Sequence, residues 1–153
     1  MVKFRYKMQN ILDIKLKIED QEKLHYSEAR AKLTQEEEKL TLLEHRKAAY
    51  ERELREIVQT RIDLLEIKRL ENAVENLKYF IKLQILEVKK AEKALEVARI
   101  RLNKAMMERK IHEKLKDKAW DTYLIDMSSD ERKEVDQLVS FQYNNPTGYE
   151  EDN

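Results

Sequence analysis

Residues 91–105 read AEKALEVARIRLNKA. Alanine stands at Ala91, Ala98 and Ala105, leucine at Leu95 and Leu102, and nearly everything between them is charged. Steps of four and three residues place these five side chains on one narrow stripe of an α-helix. Half of the stripe is only a methyl group deep. So thin an apolar line does not suit a wide multi-helix core. It suits a single facing helix whose backbone comes close.

The same line extends back toward the middle of the chain. Ile67, Val74, Ile81, Val88, Leu95 and Leu102 recur every seven residues. Leu70, Leu77, Gln84, Ala91, Ala98 and Ala105 recur with them, displaced by three. These are the a and d seams of a heptad, and a strict seven-residue period implies a left-handed supercoil. The first half repeats less cleanly. Leu33, Leu40, Lys47 and Leu54 alternate with Glu36, Leu43, Tyr50 and Ile57. Further back, Phe4, Ile11 and Ile18 recur with Met8 and Ile14. Fifteen residues separate Ile18 from Leu33, one more than two heptads. The pattern therefore predicts a phase slip around Glu19, Glu22 and His25, with local unwinding there.

Composition agrees with long helices. Of 153 residues, 41% are charged, with one glycine and one proline. Strands need turn residues, and residues 1–125 hold no cluster of them, so β structure is excluded. The absence of cysteine excludes a disulfide frame and a Cys-based zinc site. The opening MVKFRYKMQNILDIKLKIED is charged throughout and is no signal sequence. No apolar run approaches the roughly 18–20 residues of a membrane span, so a cytoplasmic protein is expected.

The chain must fold back to cover its own stripe. The clearest helix start is DLLE, residues 63–66, where Asp63 and Glu66 have the spacing of a capping box. We expect a turn within Val58–Asp63, centred near Arg61. The expected fold is all-α: a long antiparallel two-helix coiled-coil hairpin over residues 1–143. Helix one spans about 3–58. Helix two spans about 64–125, or on to about 141 through a second capping box at Ser128 and Glu131. Residues 144–153 read as a disordered acidic tail. If the helix ran on unbroken instead, the product would be a self-associating parallel spacer.

Charge is balanced overall, with 31 basic and 31 acidic residues, but unevenly laid out. Residues 1–18 carry five Lys/Arg against Asp13 alone, and residues 99–118 carry eight against three acids. Residues 121–153 carry nine acids against Arg132 and Lys133. The two basic stretches meet at the open end of the expected hairpin. A basic patch is the footprint of phosphate binding, but overall neutrality and the acidic tail argue against nucleic acid.

Chemistry-bearing motifs are lacking. There is no Gly-rich phosphate loop, no GxSxG and no HExxH, and His25, His45 and His112 stand far apart. No catalytic residue, metal, cofactor or small-molecule substrate is expected. Two surfaces rise above this background. Tyr79, Leu83 and Leu86 fall at outer heptad positions, flanked by Phe80 and Ile85, with Leu42 outward on the first helix. A two-stranded rod cannot bury both faces, and a contiguous exposed apolar stripe marks a partner site. At the open end, Phe4 and Tyr6 are expected near Trp120 and Tyr123.

Three stretches resemble the bacterial flagellar export protein FliJ family. They are FRYKMQNILDIKLKIEDQEK (residues 4–23), LLEIKRLENAVENLKYFIKLQI (64–85), and ERKIHEKLKDKAWDTY followed by DERKEVDQLVSF (108–123 and 130–141). The resemblance implies a non-enzymatic hairpin similar to the central stalk of rotary ATPases, monomeric when alone. It implies work at the cytoplasmic face of the inner membrane, at the flagellar base. The partners it implies are the hexameric export ATPase, the export gate protein FlhA and export chaperones. By analogy the open end enters the ATPase ring, which here covers Phe4, Lys7 and Ile11 together with Arg101, Lys104, Arg109, Lys110 and Trp120. The positions matching the gate-binding surface are Lys39, Leu43, Arg46 and Tyr50 on one helix and Ala73, Leu77, Phe80 and Gln84 on the other. The family's usual glycine near the turn is missing. A stalk subunit of a rotary ATPase is the remaining alternative.

Overall fold

A computed structural model describes residues 3–144, with side chains through residue 140. Two helices pack against each other: α1, Gln9–Thr60, and α2, Leu64–Asn144. No strand occurs among the described residues. The helices run 52 and 81 residues without a break because nothing in them breaks a helix. The one proline and one glycine, Pro146 and Gly148, lie after α2.

The turn is three residues long, Arg61 to Asp63. The Ile57 carbonyl accepts from the Arg61 N–H at 2.9 Å, closing α1. The Asp63 carbonyl accepts from the Ile67 N–H at 2.9 Å, and its carboxylate accepts from the Glu66 N–H at 3.4 Å. Only half of the expected capping box forms. The Glu66 carboxylate does not reach back but accepts from the Arg69 guanidinium, which lowers its pKa. No described residue has positive φ, so the turn needs no glycine. The break rules out the continuous helix of the spacer alternative.

α1 begins at Gln9, later than the sequence suggests. Met8 offers no side-chain acceptor for the first N–H groups, and its carbonyl alone receives Ile11 and Leu12 at 3.0 and 3.1 Å. Before it, Phe4 puts its ring edge-on to Trp120, with centroids 5.0 Å apart. α2 continues to Asn144, the longer of the two expected ends. All of its residues from Ser128 to Ser140 are exposed. The acidic tail expected over 144–153 lies outside the described residues beyond Asn144.

Burial shows which residues form the seams. On α2 the inward positions step by three and four from Ile67 through Val74, Val88, Ala98 and Ala105, as expected, and on through His112 to Tyr123. On α1 the expected phase slip does not occur. The inward positions run Leu12, Lys15, Glu19, Glu22, Tyr26, Ala29 and Leu33, and then to Ile57, in the same unbroken rhythm. Leu12 is buried, whereas Ile11 and Ile14 are exposed. Polar side chains hold the seam between Leu12 and Tyr26. Their aliphatic stems cover apolar surface while the charged ends find partners. The Lys15 ammonium pairs with Glu108 at 3.0 Å, and the almost fully buried Glu19 pairs with Lys23 at 3.5 Å.

The chain comprises two compact units, Lys17–Met107 on one hand and Met1–Leu16 with Glu108–Asn153 on the other. In the first, the core is Leu70, Val74, Leu77 and Val88, then the alanines 91, 98 and 105. Only Leu70 among the large side chains is completely buried. One polar layer interrupts the core. The Gln84 amide donates to the Glu36 carbonyl at 3.0 Å and to the Glu36 carboxylate. Lys32, at 2.9 Å, hydrogen-bonds the same carboxylate, and with Gln84 it holds the Glu36 pKa down at about 2. In the second unit, Leu12, the Lys15–Glu108 pair and the aromatic cluster of Phe4, Trp120 and Tyr123 carry the packing.

Candidate partner-binding surfaces

Two surfaces merit description, one in each unit. In Lys17–Met107 the outer apolar stripe is present as a surface. Leu42, Tyr79, Phe80, Leu83, Ile85 and Leu86 are all exposed, Tyr79 at 60%. Tyr79 and Phe80 meet edge to face with centroids 5.8 Å apart. These residues sit at c, e, f and g positions, outside the a and d seam, so the heptad that builds the core also leaves much of their surface in water.

Beside the stripe lies an open hollow of about 540 Å³. It gathers Arg46, Tyr50, Ala73, Leu77 and Phe80, five of the eight positions expected from the resemblance to face a gate protein. Ala49 and Asn76 complete its wall, and sequence reading did not single them out. The hollow exists because Ala49 and Ala73 present methyl groups where larger side chains would fill the space. Leu77, at 8% exposure, forms the floor, and Tyr50 is half-buried at its side. Leu43 and Gln84 are half-buried in the seams, and Gln84 has its amide engaged by Glu36. Arg46 and Lys39 are exposed.

The end residues divide between the units. Arg101 and Lys104 are exposed and belong to Lys17–Met107. Phe4, Lys7, Ile11, Arg109, Lys110 and Trp120 belong to the other unit. There Phe4 touches Trp120 and lies 5.3 Å from Tyr123, and Trp120 stacks on Tyr123 at 5.5 Å. Trp120 keeps 43% of its surface in water, so this cluster both clamps and displays. Lys7 and Lys110 are exposed. Arg109 is an inward residue that donates to Glu113 at 2.8 Å, so it supports the helix pair as well as the surface. Arg5, Asn10 and Lys116, which fall within the stretches expected to form that end but were not singled out, line an open cavity with Phe4, Tyr6 and Lys7.

No group of His, Asp and Glu among the described residues could hold a metal ion. No described helix is long and apolar enough to cross a membrane. What both surfaces offer is exposed aromatic and aliphatic area with charges around it, which is the composition of protein-binding sites.

Comparison with known proteins agrees with this geometry. No curated protein and no solved structure matches the chain. A family model described as Flagellar FliJ protein matches residues 4–148, nearly the whole chain. The chain therefore belongs to the flagellar FliJ protein family and is a component of the flagellar export apparatus.

Proposed function

We propose that this protein is a non-enzymatic coupling element of flagellar export. It binds the hexameric export ATPase through the residues around its chain ends, promotes assembly of the ATPase ring and connects that ring to the gate protein FlhA. It also handles export chaperones, and it works at the cytoplasmic face of the inner membrane. The observation that carries this reading is the exposed stripe from Tyr79 to Leu86 beside the hollow floored by Leu77. An apolar face of this kind, left in water by the two helices present among the described residues, calls for a protein partner.

The gate arm is tested by capture of the cytosolic part of the gate protein. Phe80→Asp is expected to reduce capture at least about tenfold, as loss of an aromatic anchor does. The helical signal should stay intact, because Phe80 is 52% exposed. Undiminished capture would remove the stripe from the gate interface. The ATPase arm is tested by reversing charge at Arg101, Lys104 and Lys110 together. All three are exposed, so a loss of ATPase binding reports on the surface and not on the fold. Unchanged binding would place the ATPase contact elsewhere.

A further inference from the structure

The cavity at the start of α1 has a volume of about 650 Å³. Three cations line it: Arg5 and Lys7, both exposed, and Lys116, half-buried. None of the three has an ion-pair partner among the described residues. Elsewhere in the chain, Lys and Arg repeatedly find an acid one helical turn away, as Lys32, Lys78, Lys90 and Arg99 do. Here the cations converge on a hollow and stay uncompensated.

The surroundings favour negative charge further. The first turn of α1 contains no acid, so its N–H groups add their positive field to that of the cations. The nearest acid in sequence to Arg5 and Lys7, Asp13, accepts from the Gln9 amide at 2.9 Å, and on α2 Glu113, one turn before Lys116, accepts from Arg109, while Asp117 follows Lys116 in sequence and is exposed. Asn10 contributes another polar wall, and the Tyr6 hydroxyl is shut from solvent without a partner. Phe4 and Tyr6 give the cavity an aromatic side. A hollow of this size exceeds what a lone ion fills and lies in the range of sites that enclose a ligand of several groups.

We propose that this cavity is a docking site for an acidic peptide segment. Its carboxylates sit among Arg5, Lys7 and Lys116, and its chain packs against the rings of Phe4 and Tyr6. The proposal deepens the reading of these residues as part of the ATPase-binding end, and to that extent rests on it, by stating the chemistry of the partner's contacting loop.

The test is fluorescence anisotropy of labelled hexaglutamate with the full chain at low salt. Inorganic phosphate, pyrophosphate and an uncharged Ser-Gly hexapeptide serve as competitors. Hexaglutamate is expected to bind, to weaken with salt, and to resist the uncharged peptide. Lys116→Glu and Arg5→Glu should each weaken it about tenfold or more, with circular dichroism unchanged. Lys116→Gln, a gentler substitution, should weaken it less. Lys93→Glu, at an exposed position of the other unit, should leave it unaltered. Absence of binding, equal weakening by Lys93→Glu, or binding of phosphate without hexaglutamate would each overturn the proposal.

ATPase capture by the same variants separates the two readings. Capture that survives Lys116→Glu while hexaglutamate binding is lost keeps the cavity and removes it from the ATPase contact. Capture that depends on Lys116 when hexaglutamate does not bind does the reverse.

Discussion

At the scale of single residues, the Glu36–Gln84 layer is the most informative contact. A carboxylate with 4% exposure would be costly alone, but Lys32, Gln84 and Lys39 surround it. Its folded pKa of about 2 lies below the ordinary value of 4.5. A group depressed in this way adds stability above its unfolded pKa and loses it as pH falls through the folded one. The melting temperature should therefore fall between about pH 4.5 and pH 2. Glu36→Gln should flatten that part of the profile. An identical pH slope in the variant would show that Glu36 is not the titrating group. Glu66 and Glu96, held low by Arg69 and Arg99, add to the same slope. Polar residues at a seam position fix register at the expense of stability, and Gln84 here fits only opposite Glu36.

At the scale of the helices, the core is a single file, so each large side chain in it matters. Leu70 is completely buried. Leu70→Ala should destabilise the hairpin by about 2–4 kcal/mol in urea unfolding. Leu83→Ala, on the exposed stripe, should change stability by less than about 0.5 kcal/mol. Comparable losses at both positions would contradict the assignment of inner and outer faces. The same contrast explains what could be read without a structure. The α2 seam was legible because Ile67, Leu70 and their successors put hydrophobicity and heptad position in agreement. The first third of α1 was misread because they disagree. Ile11 and Ile14 are more apolar than Lys15, Glu19 and Glu22, yet the latter point inward. Charged residues with long stems can hold a seam once partners such as Glu108 and Lys23 are in reach, and hydropathy alone cannot see those partners. The exposed stripe was legible for the converse reason: Tyr79 and Leu83 are apolar at positions that must face water. The hollow beside it was not, because it arises from small residues on two helices, Ala49 and Ala73, that are far apart in sequence.

At the scale of the whole molecule, the two helices differ in length, 52 residues against 81. α2 continues well beyond Met127, the last half-buried residue of the regular seam, and from Ser128 to Ser140 it buries nothing. Ending the chain after Met127 should leave the unfolding free energy in urea within about 0.5 kcal/mol of the full protein. A large loss would mean that this stretch is covered by a second copy in solution. Val135, Leu138 and Val139 are exposed along it.

The antiparallel turn has a kinetic consequence. Contacts between the arms are nested: Glu36 meets Gln84 across 48 residues, and Lys15 meets Glu108 across 93. Formed separately, the wider closure would cost only about 0.6 kcal/mol more, because the entropy of closing a loop grows slowly with length. Formed through the successive seam contacts that lie between the two, each further closure encloses only a few residues of free chain on either arm. The molecule should thus assemble like a zip fastener from Arg61 outward, and amide exchange should quicken with distance from that bend.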